Sequence, residues 1–351
     1  IGNNSTDRSL KVYHSDNSYT QIRGFGLYFN RANSYIRPTV DNSKTMYFHS
    51  DGLNLEEWSL ALDQGEPSSL LGFSHKIKAL NLRNSIFIDN TASKAVSKLY
   101  PFLLQESIAV VTCNKIACAA DLKYYKHIKH MSKEYGAPFL YETNVGAGLP
   151  IIDTLKNLVI SGDRINKIQA VLSGSLNFVF NHFNDKVSFH DIVKLAEEQG
   201  FTEPDPKIDL SGIDVAREIL ILARESGYTL ELSDVENTSF LPEESLKTKN
   251  NLDFYASLKK HESHFRELFQ HATEHQSKLK YVAEFTHGRA SVGLQHIPEN
   301  HPFYNLEGSD NIVLFFTDRY PIQPLQIKGA GAGAEVTASG IFADIIRIAN
   351  S

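Results

Sequence analysis

Cysteine is almost missing from this sequence. Cys113 and Cys118 are the only two in 351 residues. That is no disulfide framework, and a reducing, cytoplasmic setting is the expectation. Long apolar runs are missing too. None approaches the ~18 residues that a membrane span needs. The opening Ile-Gly-Asn-Asn-Ser-Thr-Asp-Arg has no apolar stretch of the kind a secretory signal carries. Positive charge is not in excess. The formal net charge is −6, so no nucleic acid and no anionic membrane surface is expected as a partner. What is present is ordinary for a globular protein, with 42% hydrophobic and 22% charged residues. This excludes a disordered chain, a collagen repeat and a coiled coil. At ~100–200 residues per domain, the length implies two domains or one with a large insertion.

The first forty residues are rich in Asn, Ser and Tyr, and only residues 25–29 suggest a strand. Coherent pattern begins near Asn42. Residues 85–88 form a short apolar run, and residues 93–104 have helical spacing. Residues 108–112 are apolar and β-branched without interruption, as in a strand buried on both faces. A Lys-rich helix is expected to reach Tyr135, with Gly136 as its stop. Residues 139–141 give a third run. Strand, helix, strand, helix, strand predicts a parallel sheet of doubly wound type. The texture changes after Pro150. Residues 151–160 read as a helix and 165–172 as a strand. Ser188 with Asp191, and Ser211 with Asp214, have capping-box spacing. Residues 257–276 read as one long polar helix. Residues 279–285, 290–297 and 311–317 read as antiparallel strands, and 337–350 as a final helix.

Several turns could carry chemistry. Asp89-Asn90-Thr91-Ala92-Ser93 lies where a strand ends and a helix begins. In open α/β sheets ligands bind at that edge, although these residues also suit helix caps. Val111-Thr112-Cys113-Asn114-Lys115 repeats the arrangement. There a lysine can polarise a substrate oxygen or shuttle a proton, or simply be a surface lysine. Glu142-Thr143-Asn144-Val145-Gly146-Ala147-Gly148-Leu149-Pro150 could present carbonyls to a hard cation or act as a hinge. Leu172-Ser173-Gly174-Ser175-Leu176-Asn177 suits a carboxylate at a helix N-terminus. It is not a G-x-S-x-G nucleophile elbow. Glu203, Asp205, Asp209 and Asp214 crowd around Pro204 and Pro206. They could hold an ammonium or form a solvated acidic loop. Gly329-Ala330-Gly331-Ala332-Gly333 lets backbone approach a ligand but is no P-loop. His261 and His264 miss the H-E-x-x-H spacing. His271 and His275 share a helix face without the residues to complete a zinc site.

In their order, these segments resemble the homoserine dehydrogenase family, most nearly the dehydrogenase module of the bifunctional aspartokinase–homoserine dehydrogenases. The resemblance runs from about Asn42 to the end. It implies an α/β fold, with a Rossmann-like parallel-sheet domain and an α+β catalytic and dimerisation domain. The boundaries would be 1–148, 149–328 and a segment 329–351 returning to the first domain. It implies NADP- or NAD-dependent reduction of aspartate 4-semialdehyde to homoserine, in threonine and methionine biosynthesis. By resemblance Lys115 acts at the aldehyde oxygen, and Asp214 belongs with it to the catalytic set. Glu203 and Asp209 hold the substrate with Gly174 and Ser175. Asn90, Thr91, Ser93, Thr112, Gly331 and Gly333 lie along the cofactor, and Lys44 suits a 2′-phosphate. Carbonyls of Glu142, Val145, Ala147 and Leu149 surround a sodium-like cation. The resemblance also implies a homodimer. The chain is too short to include an aspartokinase, which would be a separate chain or a part not present.

Two features depart from the family. Gly24-Phe25-Gly26 lacks the third glycine of G-x-G-x-x-G, and too few residues separate it from Asn42 for the usual helix and strand. Second, Glu218 stands where the family places a catalytic lysine, four residues after Asp214. A like-charge pair is expected there. The alternative function is therefore a catalytically impaired homologue, serving as a dimerisation or regulatory module.

Overall fold

The computed structural model describes residues 25–30, 35–36, 39–49, 52–82, 84–202 and 205–350. Of the incomplete Gly24-Phe25-Gly26 motif, Gly24 lies outside the described residues, as does Glu203, while Phe25 and Gly26 begin a strand. The chain divides into two compact units. One takes the described residues up to Asn144 together with those from Ala334 on, and the other is Val145–Gly333.

The first unit is built on one sheet. Its strands are β1 (Phe25–Asn30), β2 (Tyr35–Ile36), β3 (Thr39–Asp41), β4 (Thr45–Tyr47), β5 (Glu66–Pro67), β6 (Ser85–Asp89), β7 (Ala109–Thr112) and β8 (Phe139–Leu140). Their order is β5-β4-β3-β1-β6-β7-β8, with β2 paired to β1. β6, β7 and β8 run parallel, joined by helical crossovers, which is the Rossmann-like part. Every residue of β6 and β7 is buried, which is why their sequence shows no polar alternation. On one face Ile86, Ile88, Ala109 and Val111 pack with Ile341 and Ile345 of the last helix, Ala334–Ala349. Across the sheet Phe87 meets Phe73 of the helix Leu70–Leu80 edge-on.

β1 runs antiparallel to both β3 and β6, so β3 points the same way as β6. The 42–44 turn therefore reaches the same sheet edge as the turns that follow β6, β7 and β8. The expected helix over 93–104 is two, Lys94–Ser97 and Tyr100–Gln105. Pro101 in the second has no N–H with which to continue the first.

In the second unit the strands are β9 (Ile165–Val171), β10 (Val235–Thr238), β11 (Ser277–Thr286), β12 (Arg289–Pro298), β13 (Asp310–Thr317) and β14 (Leu325–Ala330), ordered β10-β12-β11-β9-β13-β14. All pairs are antiparallel except β10 with β12. β10 buries only Val235, and β14 is half-buried to exposed along its length. Neither gives a pattern that sequence reading can find. The long helix expected over 257–276 is broken at His261 into Asn251–Lys260 and Glu262–Glu274. Each piece buries its own side chains, Phe254 and Leu258 in one and Phe265 and Ala272 in the other.

Ser188 caps the helix Phe189–Glu198 as expected, its Oγ accepting from the Asp191 amide at 3.1 Å, but the box is only half made, because the Asp191 carboxylate takes the Ser188 hydroxyl at 2.7 Å. The one at Ser211 does not form. Ser211 Oγ donates to the Ile208 carbonyl instead, and the helix Ile213–Glu225 starts from Gly212 at φ 70°. A Cβ on Gly212 would collide with the Tyr281 hydroxyl, so only glycine fits that junction.

Lys280 on β11 is fully buried. Its ammonium donates to Asn177 Oδ1 at 2.7 Å, Asn181 Oδ1 at 2.5 Å and the Leu306 carbonyl at 2.6 Å. Burial, then the nearby Lys278, lowers its pKa to about 7. Lys280→Met strands two buried acceptors and a half-buried one, and the expected loss is about 2–4 kcal/mol in urea unfolding. The unfolded lysine keeps its proton to higher pH than the folded one, so folding releases a proton and stability rises with pH through that window. The deficit of Lys280→Met should therefore widen between pH 7 and 10. A pH-independent deficit would show that folded Lys280 titrates as an ordinary lysine.

Candidate active site

Three turns leave the carboxyl edge of the parallel strands in the first unit, and one side chain joins two of them. Asp89, the last residue of β6, is fully buried. Its Oδ1 accepts from the Thr91 amide at 2.7 Å. Its Oδ2 accepts from the Tyr100 hydroxyl at 2.5 Å and from Asn114 Nδ2 at 3.0 Å. Burial raises the Asp89 pKa against these hydrogen bonds, and burial followed by the Asp89 charge raises that of Tyr100. Asn114 is the cap of the helix Lys115–Cys118. Its Oδ1 accepts from Ile116 N at 3.1 Å and its Nδ2 also donates to the Ser93 carbonyl at 3.0 Å. Lys115 is thus the first residue of a helix whose cap is tied to the neighbouring turn.

Of the expected cofactor residues, Asn90 has a buried Oδ1 with no partner among the described residues. Ser93 caps the helix Lys94–Ser97 and its amide donates to Thr91 Oγ1 at 3.0 Å. Thr112 is placed differently from a cofactor contact. Its hydroxyl is enclosed by the Asp89 carbonyl at 3.1 Å, the Tyr100 hydroxyl at 2.9 Å and the Asn114 amide at 2.8 Å. It braces the turn from inside. Lys44 is exposed on the hairpin turn at the same edge, with its amide on Asn42 Oδ1. Burial, then the Asp89 charge, pushes the Cys113 thiol up to about 11, so it is no nucleophile. The Glu142 amide donates to Asp344 Oδ2 at 3.0 Å. The last helix therefore holds the start of the third turn.

In the second unit, Gly174 and Ser175 open the helix Gly174–His182, capped by Ser173. Ser175 Oγ lies 2.6 Å from the Phe201 carbonyl and 3.0 Å from Asp209 Oδ1. Its one proton faces two acceptors, so Ser175 acts on Asp209 and the 201 turn. A Cβ on Gly174 would stand 3.1 Å from Ala332 Cβ and from the Ser309 carbonyl. The glycine-rich stretch is thus packed onto the start of that helix. A Cβ on Gly331 would collide with the Asn311 side chain. Asn311 is fully buried, donates to the carbonyls of Leu172 at 2.9 Å and Gly331 at 3.2 Å, and keeps an unpartnered Oδ1 among the described residues. Gly331 is therefore small for Asn311. Gly333 sits at φ 123° with open space where a Cβ would be.

Asp214 pairs with Arg217 at 2.6 Å. Glu218 is buried and its Oε2 accepts from the Gly146 amide at 3.2 Å. The expected like-charge pair is thus relieved, because each carboxylate turns to a different donor. Gly146 and Ala147 both have positive φ, at 65° and 56°. They reverse the backbone between Val145 and Leu149, the residues read as carbonyl ligands. Among the described residues no group of three or more His, Cys, Asp or Glu could hold a metal ion. Sequence reading placed Asp89 in a candidate turn without giving it a role of its own, and it missed Tyr100, Asn311 and Asp344. The one signal available was the aspartate that ends a wholly apolar strand.

A parallel sheet with polar turns at its carboxyl edge, joined in sequence to a mixed-sheet unit, is the arrangement of the nucleotide-binding α/β class of folds, which bind ligands at that edge. A family model described as homoserine dehydrogenase matches residues 150–346, and one described as the NAD binding domain of homoserine dehydrogenase matches residues 63–142. The chain belongs to the homoserine dehydrogenase family. It is 40% identical to a bifunctional aspartokinase/homoserine dehydrogenase of Haemophilus influenzae, over 93% of this chain and 40% of that protein. It is 38% identical to a homoserine dehydrogenase of Schizosaccharomyces pombe, over 93% of this chain and 90% of that protein. The chain thus spans about two fifths of the length of the Haemophilus relative. A crystal structure of a Candida auris protein of unknown function matches with a TM-score of 0.81 and 36% identity over 88% of both chains. A hyperthermophilic archaeal homoserine dehydrogenase in complex with NADPH has the same fold, with a TM-score of 0.68 and 24% identity over 89% of this chain and 87% of that one.

Gly331→Ala should destabilise by about 1–3 kcal/mol through overpacking against Asn311. Adding Asn311→Ala should recover part of that loss in the melting temperature. Additive losses in the double variant would separate the two residues energetically.

Proposed function

We propose that this chain interconverts L-homoserine and L-aspartate 4-semialdehyde using NADP or NAD, in threonine and methionine biosynthesis. The observation that carries the reading is the edge of the first unit. There the Asn90-to-Ser93 turn and the Lys115 helix leave adjacent strands and are bridged by Asp89. The unpartnered Asn90 Oδ1 at that edge fits a ligand that donates hydrogen bonds, as a cofactor amide or ribose would. The nicotinamide supplies the hydride in reduction and takes it up in oxidation. Lys115 offsets the negative charge that develops on the aldehyde oxygen and delivers a proton there. Asp209, oriented by Ser175, holds the substrate ammonium with Glu203 and Asp214. The amides of Gly174 and Ser175, at a helix N-terminus, suit its carboxylate. Thr91, Ser93, Gly331 and Gly333 shape the backbone along the cofactor, and Lys44 suits a 2′-phosphate. The NADPH bound to the archaeal relative supports that choice of cofactor.

The same reading includes a sodium-like cation at the carbonyls of Glu142, Val145, Ala147 and Leu149, supported by the reversed backbone at Gly146 and Ala147. It includes a homodimer, a cytoplasmic setting and an association with an aspartokinase module, as in the bifunctional relatives. No helix among the described residues is long and apolar enough to cross a membrane. The likeness over nine tenths of the S. pombe enzyme favours a working enzyme over a non-catalytic module.

Homoserine-dependent reduction of NADP and NAD, followed by absorbance, tests the proposal. Lys115→Ala should lower kcat about 10²-fold or more. Absence of turnover in folded chain would sink the enzyme reading. Glu218→Lys should raise turnover while lowering the melting temperature, because it strips the Gly146 amide of its acceptor. Unchanged turnover in that variant would clear Glu218 of limiting the reaction.

A further inference from the structure

We infer that Asp89 is a positioning residue that sets the Lys115 turn and the Asn90-to-Ser93 turn in one register. The inference rests on the reading of those turns as catalytic and cofactor-facing. The two oxygens of the carboxylate divide the work. Oδ1 takes the Thr91 amide at 2.7 Å, inside the first turn. Oδ2 takes Asn114 Nδ2 at 3.0 Å, from the cap of the Lys115 helix. The Tyr100 hydroxyl, at 2.5 Å from Oδ2 and 2.9 Å from Thr112 Oγ1, fixes the carboxylate plane from a third element. Asn114 completes the link by donating to the Ser93 carbonyl at 3.0 Å and accepting from Ile116 N at 3.1 Å. A fully buried carboxylate is costly unless donors satisfy it. Here two of the three satisfying donors, Thr91 and Asn114, belong to turns that the proposed reaction needs in place. Asp89 is too enclosed to touch substrate, so it acts through Asn114 and Thr91.

The division of labour predicts a separation of kinetic constants. Asp89→Asn keeps an oxygen for the Thr91 amide but turns an NH2 toward Asn114 Nδ2, donor against donor. It should lower kcat about tenfold or more, with KM for NADP within about threefold of the parent, since small misplacement of a reacting group is costly. Asp89→Ala removes both acceptors and should also raise KM for NADP about tenfold. Tyr100→Phe keeps the carboxylate and should lower kcat less than Asp89→Asn.

Hydrogen exchange reads the same coupling without turnover. The Thr91 amide should stay protected in Asp89→Asn while the Ile116 amide, held by Asn114 Oδ1, exchanges faster, and both should exchange faster in Asp89→Ala. Should the parent chain show no homoserine oxidation, the functional reading fails and exchange still decides the coupling. Parent-like exchange at both amides in both substitutions overturns the inference. So does an equal loss of kcat and KM in the two.

Discussion

A buried carboxylate at the end of a buried strand sets the terms for the first unit. Asp89 could not stay charged inside the sheet edge without donors, and Thr91, Tyr100 and Asn114 supply them. Each donor comes from a different element, so satisfying the charge also joins the strand ends. The turns at the carboxyl edge are therefore braced from within by hydrogen bonds. Thr112, read from sequence as a cofactor contact, belongs to this bracing, because its hydroxyl is surrounded by protein partners.

The second unit solves a comparable problem with volume. Gly174 leaves room for Ala332, Gly331 for Asn311, and Gly212 for the Tyr281 hydroxyl. Small residues that look from sequence like ligand-facing backbone are, at Gly331 and Gly174, first of all packing positions. The buried amide of Asn311 ties the end of β9 to the glycine-rich stretch. Lys280 does the same for the helix Gly174–His182 and the Leu306 loop. In both cases one buried polar side chain ties together segments far apart in sequence.

What could be read from the sequence follows from the range of the interactions. β6 and β7 were legible because complete burial leaves an unbroken apolar run. Ser188 and Gly136 were legible because caps and stops are local. The helix breaks at residues 98–99 and at His261 were not, and neither was the failed box at Ser211, whose outcome depends on Gly212 meeting Tyr281 from a distant strand. The bond from Asp344 to the Glu142 amide links residues far apart in sequence. The candidate turns could be listed from their composition. Their bracing could not, because Asp89 is legible only as the start of its turn, and its bonds to Tyr100 and Asn114 exist only once the sheet does.

Glu218 shows how a departure from a family pattern is absorbed. Four residues after Asp214 on a helix, a second carboxylate should repel the first. The helix avoids this with two different donors, Arg217 for Asp214 and the Gly146 amide for Glu218. A lysine in that place could not accept from Gly146, so the carboxylate also changes what holds the irregular Gly146–Ala147 backbone. The lysine that the resemblance places at this position has no substitute in Arg217, which is engaged with Asp214. On the proposed reading the oxyanion is then left to Lys115. The demand on its placement, and so on the Asn114 cap beneath it, is correspondingly greater.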